Sequence, residues 1–322
     1  MYVVTGGAGF IGSAVLWKLN QNGVDRILVV DNLGKSDKWK NLVNRRYTDY
    51  IHRSVFLDRL EKNEFGPLQG IIHMGACSAT TERDADFLMD NNFHYSRRLA
   101  RYAQKKKIRF INASSAATYG DGGNGFKDRQ SDLSSLKPLN MYGYSKHLFD
   151  LWAQRNNLLD KLVSLKFFNV FGPNEYHKDD MSSVVFKAFG QIQKTGRISL
   201  FKSYKADYAD GEQQRDFVYV KDCVNLIWWF LEHPEINGVF NVGSGKARSW
   251  NDLARAVFNA MNLPHKITYI PMPDSIKDRY QYFTCAMMSK LENLNYPIKF
   301  HTLEEAVQDY ISGYLTQNDL YL

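Results

Sequence analysis

The segment Thr5-Gly6-Gly7-Ala8-Gly9-Phe10-Ile11-Gly12 constrains the fold more than any other stretch of the chain. It follows a short apolar run and opens a helical pattern that continues to about Asn20. Gly7, Gly9 and Gly12 fit G-x-G-x-x-G, and Gly6 precedes them. Glycines so spaced allow a tight turn, close approach of backbone to a pyrophosphate, and close packing of helix on strand. The helix then points unpaired N–H groups and the positive end of its dipole at the phosphates. The next apolar run, residues 27–30, ends at Asp31, near the distance of about 20 residues expected for a ribose-binding acid. Strand, glycine turn, helix, strand and acid together predict a Rossmann-type, doubly wound α/β fold that holds a dinucleotide. Asp31 favours the free 2′-hydroxyl of NAD. Asn32, Lys35, Lys38 and Arg53 lie nearby, and cations there suit the 2′-phosphate of NADP; both readings stand at this level.

The first half continues the alternation. Residues 70–73 read as a strand, 84–106 as a long amphipathic helix, and 108–111 as a strand that stops at Ala113-Ser114-Ser115. A helix from about Tyr142 and a strand over 162–168 follow. Strands alternating with helices imply a parallel sheet with right-handed crossovers. The second half is less regular, with helices near 182–194 and 250–261, strands at 217–220 and 239–242, and a polar surface loop over 202–214. The expected division is a dinucleotide-binding domain over 1–168 plus about 216–242. A smaller, interleaved α/β substrate lobe takes about 169–215 and 243–322.

At 322 residues and 44% apolar content the chain can bury a large core. No apolar run approaches the roughly 20 residues of a membrane helix, and no cationic segment precedes the first strand, so a cytoplasmic protein is expected. Cys77, Cys223 and Cys285 are odd in number and far apart, which predicts neither a disulfide framework nor a metal site. The net charge of +7 suits anionic ligands. Lys and Arg are scattered, and the one run, Lys105-Lys106-Lys107, ends a helical stretch where cations favour the dipole. No nucleic-acid partner is expected.

Tyr142 and Lys146 form Y-x-x-x-K and share one helix face at i and i+4. A free phenol has a pKa near 10 and is a weak base at neutral pH. A neighbouring ammonium and an oxidised nicotinamide ring both stabilise the phenolate. Ser115, at the carboxyl end of its strand, lies where α/β proteins bind ligands and is suited to hold a reacting sugar oxygen.

Residues 5–12, Ser114-Ser115 and Tyr142/Lys146 resemble the extended short-chain dehydrogenase/reductase family, and nearly the whole chain resembles its nucleotide-sugar 6-epimerases. Longer strings carry the likeness: Asp31-Asn32-Leu33, Gly75-Ala76-Cys77-Ser78, Ser114-Ser115-Ala116-Ala117-Thr118-Tyr119-Gly120, Lys137-Pro138-Leu139-Asn140, Phe168-Asn169-Val170-Phe171-Gly172-Pro173, His177-Lys178, Arg215-Asp216-Phe217-Val218-Tyr219-Val220 and Arg279-Tyr280-Gln281. The resemblance implies NADP as usual cofactor, ADP-D-glycero-β-D-manno-heptose as substrate, and a homo-oligomer, in this family a pentamer. It implies Tyr142 and Lys178 as two acid/base groups. It implies cofactor contacts from Phe10, Ile11, Asp31, Asn32, Lys38, Arg53, Met74, Gly75, Ala76, Cys77, Ser78, Asn91, Lys146 and Val170. Asn169, His177, Phe201, Arg215 and Tyr280 are implied as substrate contacts, and Arg215 has the planar fork that suits a diphosphate.

The chain departs from the family pattern at Met74, where Glu is common, and at Asp180 and Lys187, which occupy substrate-side positions. Residues 202–214 are altered and lengthened. A UDP-hexose 4-epimerase is the nearest rival and does not require Lys178. A 4,6-dehydratase needs an acid shortly after Ser115, where Ala116-Ala117 stand. A non-catalytic dinucleotide-binding protein has no need of Tyr142 and Lys146.

Overall fold

The computed structural model describes residues 1–277 and 280–322; the side chains of residues 275 and 276 also fall outside the description. The chain forms two compact units, Met1–Phe167 with Cys223–Asn241 and Leu322, and Phe168–Asp222 with Val242–Tyr321.

The first unit is built on a seven-stranded parallel sheet. Its order across is Gly238–Val242, Val163–Phe167, Arg109–Ser115, Gly70–His73, Tyr2–Thr5, Ile27–Asp31 and Asp49–His52. From Tyr2–Thr5 the chain winds outward one way through Ile27–Asp31 and then the other way through Gly70–His73. The reversal opens a crevice at the carboxyl ends of those two strands, where Thr5 stands beside His73. Val3, Val4, Val29, Ile71, Ile72 and Ile111 are completely buried, as a parallel sheet covered on both faces requires. The strand Asp49–His52 was not legible in the sequence. It is an edge strand with only Ile51 buried, so it lacks an apolar run.

The helix expected over 84–106 is interrupted. It runs as Ala85–Leu88, a π-helical Met89–His94, and Tyr95–Lys106. The π segment turns the buried Asn91 and Asn92 to one side, a use to which such bulges are often put at functional sites.

In the second unit Gln214–Tyr219 pairs antiparallel with Ala247–Ser249 and parallel with Asn169–Phe171. A separate parallel pair joins Ile198–Phe201 to Ile267–Ile270. The helices Trp250–Ala260 and Leu303–Tyr310 both open on capping boxes, Ser249 with Asp252 and Thr302 with Glu305. Residues 216–222, expected with the dinucleotide-binding domain, fall in this unit because their strand finds both its partners here. Among the described residues no helix is long and apolar enough to cross a membrane.

Candidate active site

The glycine loop is closed by backbone bonds. Gly6 N–H donates to Val30 O at 2.7 Å and Gly9 N–H to Gly6 O at 3.0 Å. Gly6, at φ +65°, takes the left-handed turn, and a Cβ there would stand 2.6 Å from Gly75 N. A Cβ on Gly12 would stand 2.0 Å from Gly6 O. A Cβ on Gly7 would stand 2.9 Å from Val29 Cγ1 and 3.0 Å from Val4 O, so Gly6, Gly7 and Gly12 each leave no room for a side chain. The helix Phe10–Gln21 begins on Gly9 with no side-chain cap, and the positive end of its dipole suits an anion. Gly12→Ala is expected to force the loop open and abolish retention of dinucleotide. Absorbance of the nucleotide released on denaturation measures this, and full occupancy in the variant would contradict it.

Asp31 is 8% exposed, and its carboxylate accepts from Ala8 N at 2.9 Å, Asn32 N at 2.7 Å and Lys38 Nζ at 2.7 Å. The acid thus braces the glycine loop, and the Lys38 ammonium offsets its charge. Arg53 bonds Asn91 through its guanidinium and lies 5.8 Å from the Tyr95 ring centre. These groups fit a dinucleotide: an uncapped helix start, a loop that side chains cannot enter, and an acid with cations beside it.

Tyr142 and Lys146 project from the helix Met141–Arg155, which is capped by Asn140 accepting from Gly143 N at 2.8 Å. The Ser115 hydroxyl stands close enough to the Tyr142 phenol to act on its ionisation. Burial pushes the phenol above its ordinary value, and the Ser115 hydroxyl opposes the rise. Ser115 also caps the turn Ala116–Tyr119 by accepting from Ala117 N at 3.1 Å. Lys146 donates to Ala113 O at 2.7 Å. Burial lowers its pKa to about 8, against an opposing pull from Asp150.

Asp150 extends the same helix face by one turn, and sequence reading missed it. It is completely buried and accepts from Ser114 Oγ at 2.7 Å, Ser164 Oγ at 2.6 Å and Lys166 Nζ at 2.8 Å. Burial alone would raise its pKa; Lys166 and the two hydroxyls outweigh that and hold it low. Lys166 spends a second bond on Thr118 Oγ1 at 2.6 Å. The pair locks the strands carrying Ser114 and Ser164 to the helix carrying Tyr142 and Lys146.

Met74 to Ser78 leave the sheet at its switch point. Met74 N–H donates to Thr5 O at 3.0 Å. Cys77 N–H donates to Asn92 Oδ1 at 2.9 Å, and Asn92 Nδ2 returns bonds to Cys77 O and Ser145 Oγ, both at 3.0 Å. Asn91 donates to the same Asn92 oxygen at 2.9 Å. Asn92 and Ser145, neither expected, tie this loop to the Tyr142 helix. His73 bonds Thr5 Oγ1 at 2.5 Å and Ser96 Oγ at 2.7 Å. Burial, then the nearby Lys146, holds its pKa well below the ordinary imidazole value.

The second unit carries the other candidates. Asn169 is exposed and Val170 half-buried on one strand. His177 and Lys178 lie half-buried on the turn Tyr176–Met181. Burial lowers the pKa of Lys178, Glu175 opposes the fall and Lys187 adds to it. Asp180 and Lys187 are exposed, and Lys187 Nζ donates to the Asp180 carbonyl at 2.5 Å. Phe201, Arg215 and Tyr280 do come together. The Arg215 guanidinium lies 5.2 Å from the Tyr280 ring and 5.7 Å from Trp250, while Phe201 meets Tyr280 edge-on at 6.5 Å. Trp250 Nε1 donates to Tyr280 Oη at 2.8 Å. Trp250, at the start of its helix, was read only as part of that helix. Arg279 lies outside the described residues.

The model of the NAD dependent epimerase/dehydratase family matches residues 2–243. The ADP-L-glycero-D-manno-heptose-6-epimerase of Nitratidesulfovibrio vulgaris (strain DP4) is 58% identical over all of both chains. The protein of that name from Fusobacterium nucleatum subsp. nucleatum is 48% identical, again over all of both. The crystal structure of the Helicobacter pylori ADP-L-glycero-D-manno-heptose-6-epimerase superposes with a TM-score of 0.81 at 28% identity, covering 97% of this chain and 95% of that one.

Proposed function

The chain belongs to the NAD dependent epimerase/dehydratase family, and from that premise we propose that it inverts C6 of the heptose in ADP-D-glycero-β-D-manno-heptose. The observation that carries the reading is the grouping of Ser115, at the end of its strand, with Tyr142, and with Lys146 one helical turn away on the same helix. A second proton-handling group, Lys178, distinguishes this reading from a simple dehydrogenase.

C6 bears no acidic proton, so inversion by direct deprotonation is hard. Oxidation to a 6-keto sugar makes the carbon planar, and reduction from the opposite face inverts it. A tightly bound nicotinamide dinucleotide, NADP in this reading, supplies the redox capacity and is regenerated each cycle. Tyr142 and Lys178 serve one face of the carbon each. One takes the proton of the C6 hydroxyl as the carbon gives up its hydride. The other gives a proton to the ketone oxygen as the carbon is reduced from its other side. Ser115 orients the reacting oxygen, and Lys146 holds positive charge beside the phenol. Phe201, Arg215 and Tyr280, with Asn169 and His177, hold the sugar nucleotide, with Arg215 on the diphosphate. Lys38 beside Asp31 supports NADP by offsetting the acid's repulsion of a 2′-phosphate. The same reading makes the protein a cytoplasmic homo-oligomer, a pentamer by its resemblance, that supplies a lipopolysaccharide inner-core precursor.

Incubation of the purified protein with the D-glycero epimer, with no added reductant, is expected to yield both C6 epimers by NMR. Mass spectrometry of released nucleotide is expected to find NADP. Unchanged ADP-heptose together with turnover of a UDP-hexose would move the assignment to a 4-epimerase.

A further inference from the structure

The loop from Gly172 to Ser183 carries His177 and Lys178 and contains no strand or α-helix of its own. A loop of that kind holds a long side chain poorly unless something ties it down. The side chain that does so is Glu175, which is 1% exposed. Its Oε1 accepts from Gly172 N at 3.2 Å and from Ser183 Oγ at 2.7 Å, and its Oε2 accepts from Ser183 N. Both ends of the loop are therefore fastened to one carboxylate. Ser183 is also the cap of the helix Val184–Thr195, accepting from Phe186 N at 3.2 Å. The loop thus takes its position from a packed helix. Three donors on one carboxyl group favour its ionised form, while burial outweighs them and raises its pKa above the ordinary carboxyl value.

Lys178 lies one tight backbone turn beyond the tethered residue. Lys178 N–H donates to Glu175 O at 3.0 Å. The next residue, Asp179, is held at φ 44° and ψ −122°, a backbone state that a side-chain-bearing residue adopts only when its surroundings impose it. Ser182 imposes it from the far side, donating N–H at 3.0 Å and Oγ at 2.7 Å to Asp179 O.

We infer that Glu175 is the positioning residue for Lys178, fastening both ends of its loop with one carboxylate. The inference rests on the reading of Lys178 as an acid/base group. Glu175 and Lys187 are the charged groups that act on Lys178, in opposite senses. The buried phenols of Tyr176 and Tyr310 also feel the charge of Glu175. The carboxylate tempers the effect of burial, which by itself would drive the lysine further toward its neutral form.

The test uses the full-length protein with its own dinucleotide. The pH midpoint of Lys178 reductive methylation, read by peptide mass spectrometry, reports the lysine directly. The kcat and KM for ADP-D-glycero-β-D-manno-heptose report the reaction. Glu175→Gln removes the charge and turns an NH2 group toward the Ser183 donors. It is expected to move the midpoint to lower pH and to lower kcat by about a hundredfold, with KM changed far less. Glu175→Asp restores the charge but is one methylene too short for both ends of the loop. Its midpoint is expected to return toward that of the parent while kcat stays low. A Glu175→Gln protein with lowered Tm but parental midpoint and kcat would overturn the inference in favour of a purely structural role. If that variant does not fold, Ser183→Ala, which keeps the charge and removes one tether, must lower kcat without moving the midpoint; parental kcat there overturns the inference too. Full activity in Lys178→Met would sink the two-base reading alone, because the midpoint still decides whether Glu175 governs that lysine.

Discussion

Tyr142→Phe is expected to lose about a thousandfold in kcat for epimerisation while keeping its bound dinucleotide, within the range that one positioned acid/base group supplies. The change removes a single oxygen, and the ring keeps its packing on the helix. The loss therefore belongs to proton transfer. Product NMR against time measures the rate, and nucleotide released on denaturation measures occupancy. A variant within threefold of the parent would remove Tyr142 from the chemistry. A pH signature accompanies the rate. Burial lowers the Lys146 pKa to about 8, so the parent is expected to slow as pH rises through that value, as the helix face one turn from Tyr142 loses its positive charge.

Lys166→Met is expected to cost about 3–5 kcal/mol of unfolding free energy, the usual cost of leaving a buried carboxylate without its cation. Lys166 and Asp150 are both completely inaccessible. Removing the ammonium strands Asp150 with only the Ser114 and Ser164 hydroxyls for partners. The double change Lys166→Met/Asp150→Leu removes both charges and is expected to recover most of the loss. Urea unfolding of the single and double variants makes the comparison. Equal destabilisation of the two would show that packing, and not the uncompensated charge, sets the cost. Lys146 stands one turn from Asp150 and feels its charge, so the double variant is also expected to lose its proton from Lys146 at lower pH.

Much of the first unit was legible because its signals are local. The glycine loop, the run ending at Asp31 and the strand stopping at Ser115 each lie within a dozen residues, and each announces an element with its ligand end. The Tyr142–Lys146 pair is likewise one helical turn. The signal weakened where neighbours in sequence do not determine the outcome. The 84–106 helix kept its amphipathic pattern across residues that the structure winds as a π segment, because periodicity does not register one inserted residue. Residues 217–220 read as a generic buried strand, and only the pairing of Gln214–Tyr219 with Asn169–Phe171 and Ala247–Ser249 assigned that strand to the second unit.

The buried polar groups were the least legible. Asp150, Lys166, Asn92, Ser145 and Glu175 carry no motif of their own. A lone charged or amide residue reads as a solvated one until its partners are known, since burial without them would cost several kcal/mol. The chain by itself determined the parallel sheet, the glycine turn and the helix face shared by Tyr142 and Lys146, because these follow from spacing along the backbone. Tertiary structure alone decided that Gly6 makes the turn, that Lys38 rests on Asp31, and that Asp150 and Glu175 hold the lysines' surroundings in place. Those facts depend on donors and acceptors brought together from distant segments, and a buried hydrogen bond exists only once both of its ends have arrived.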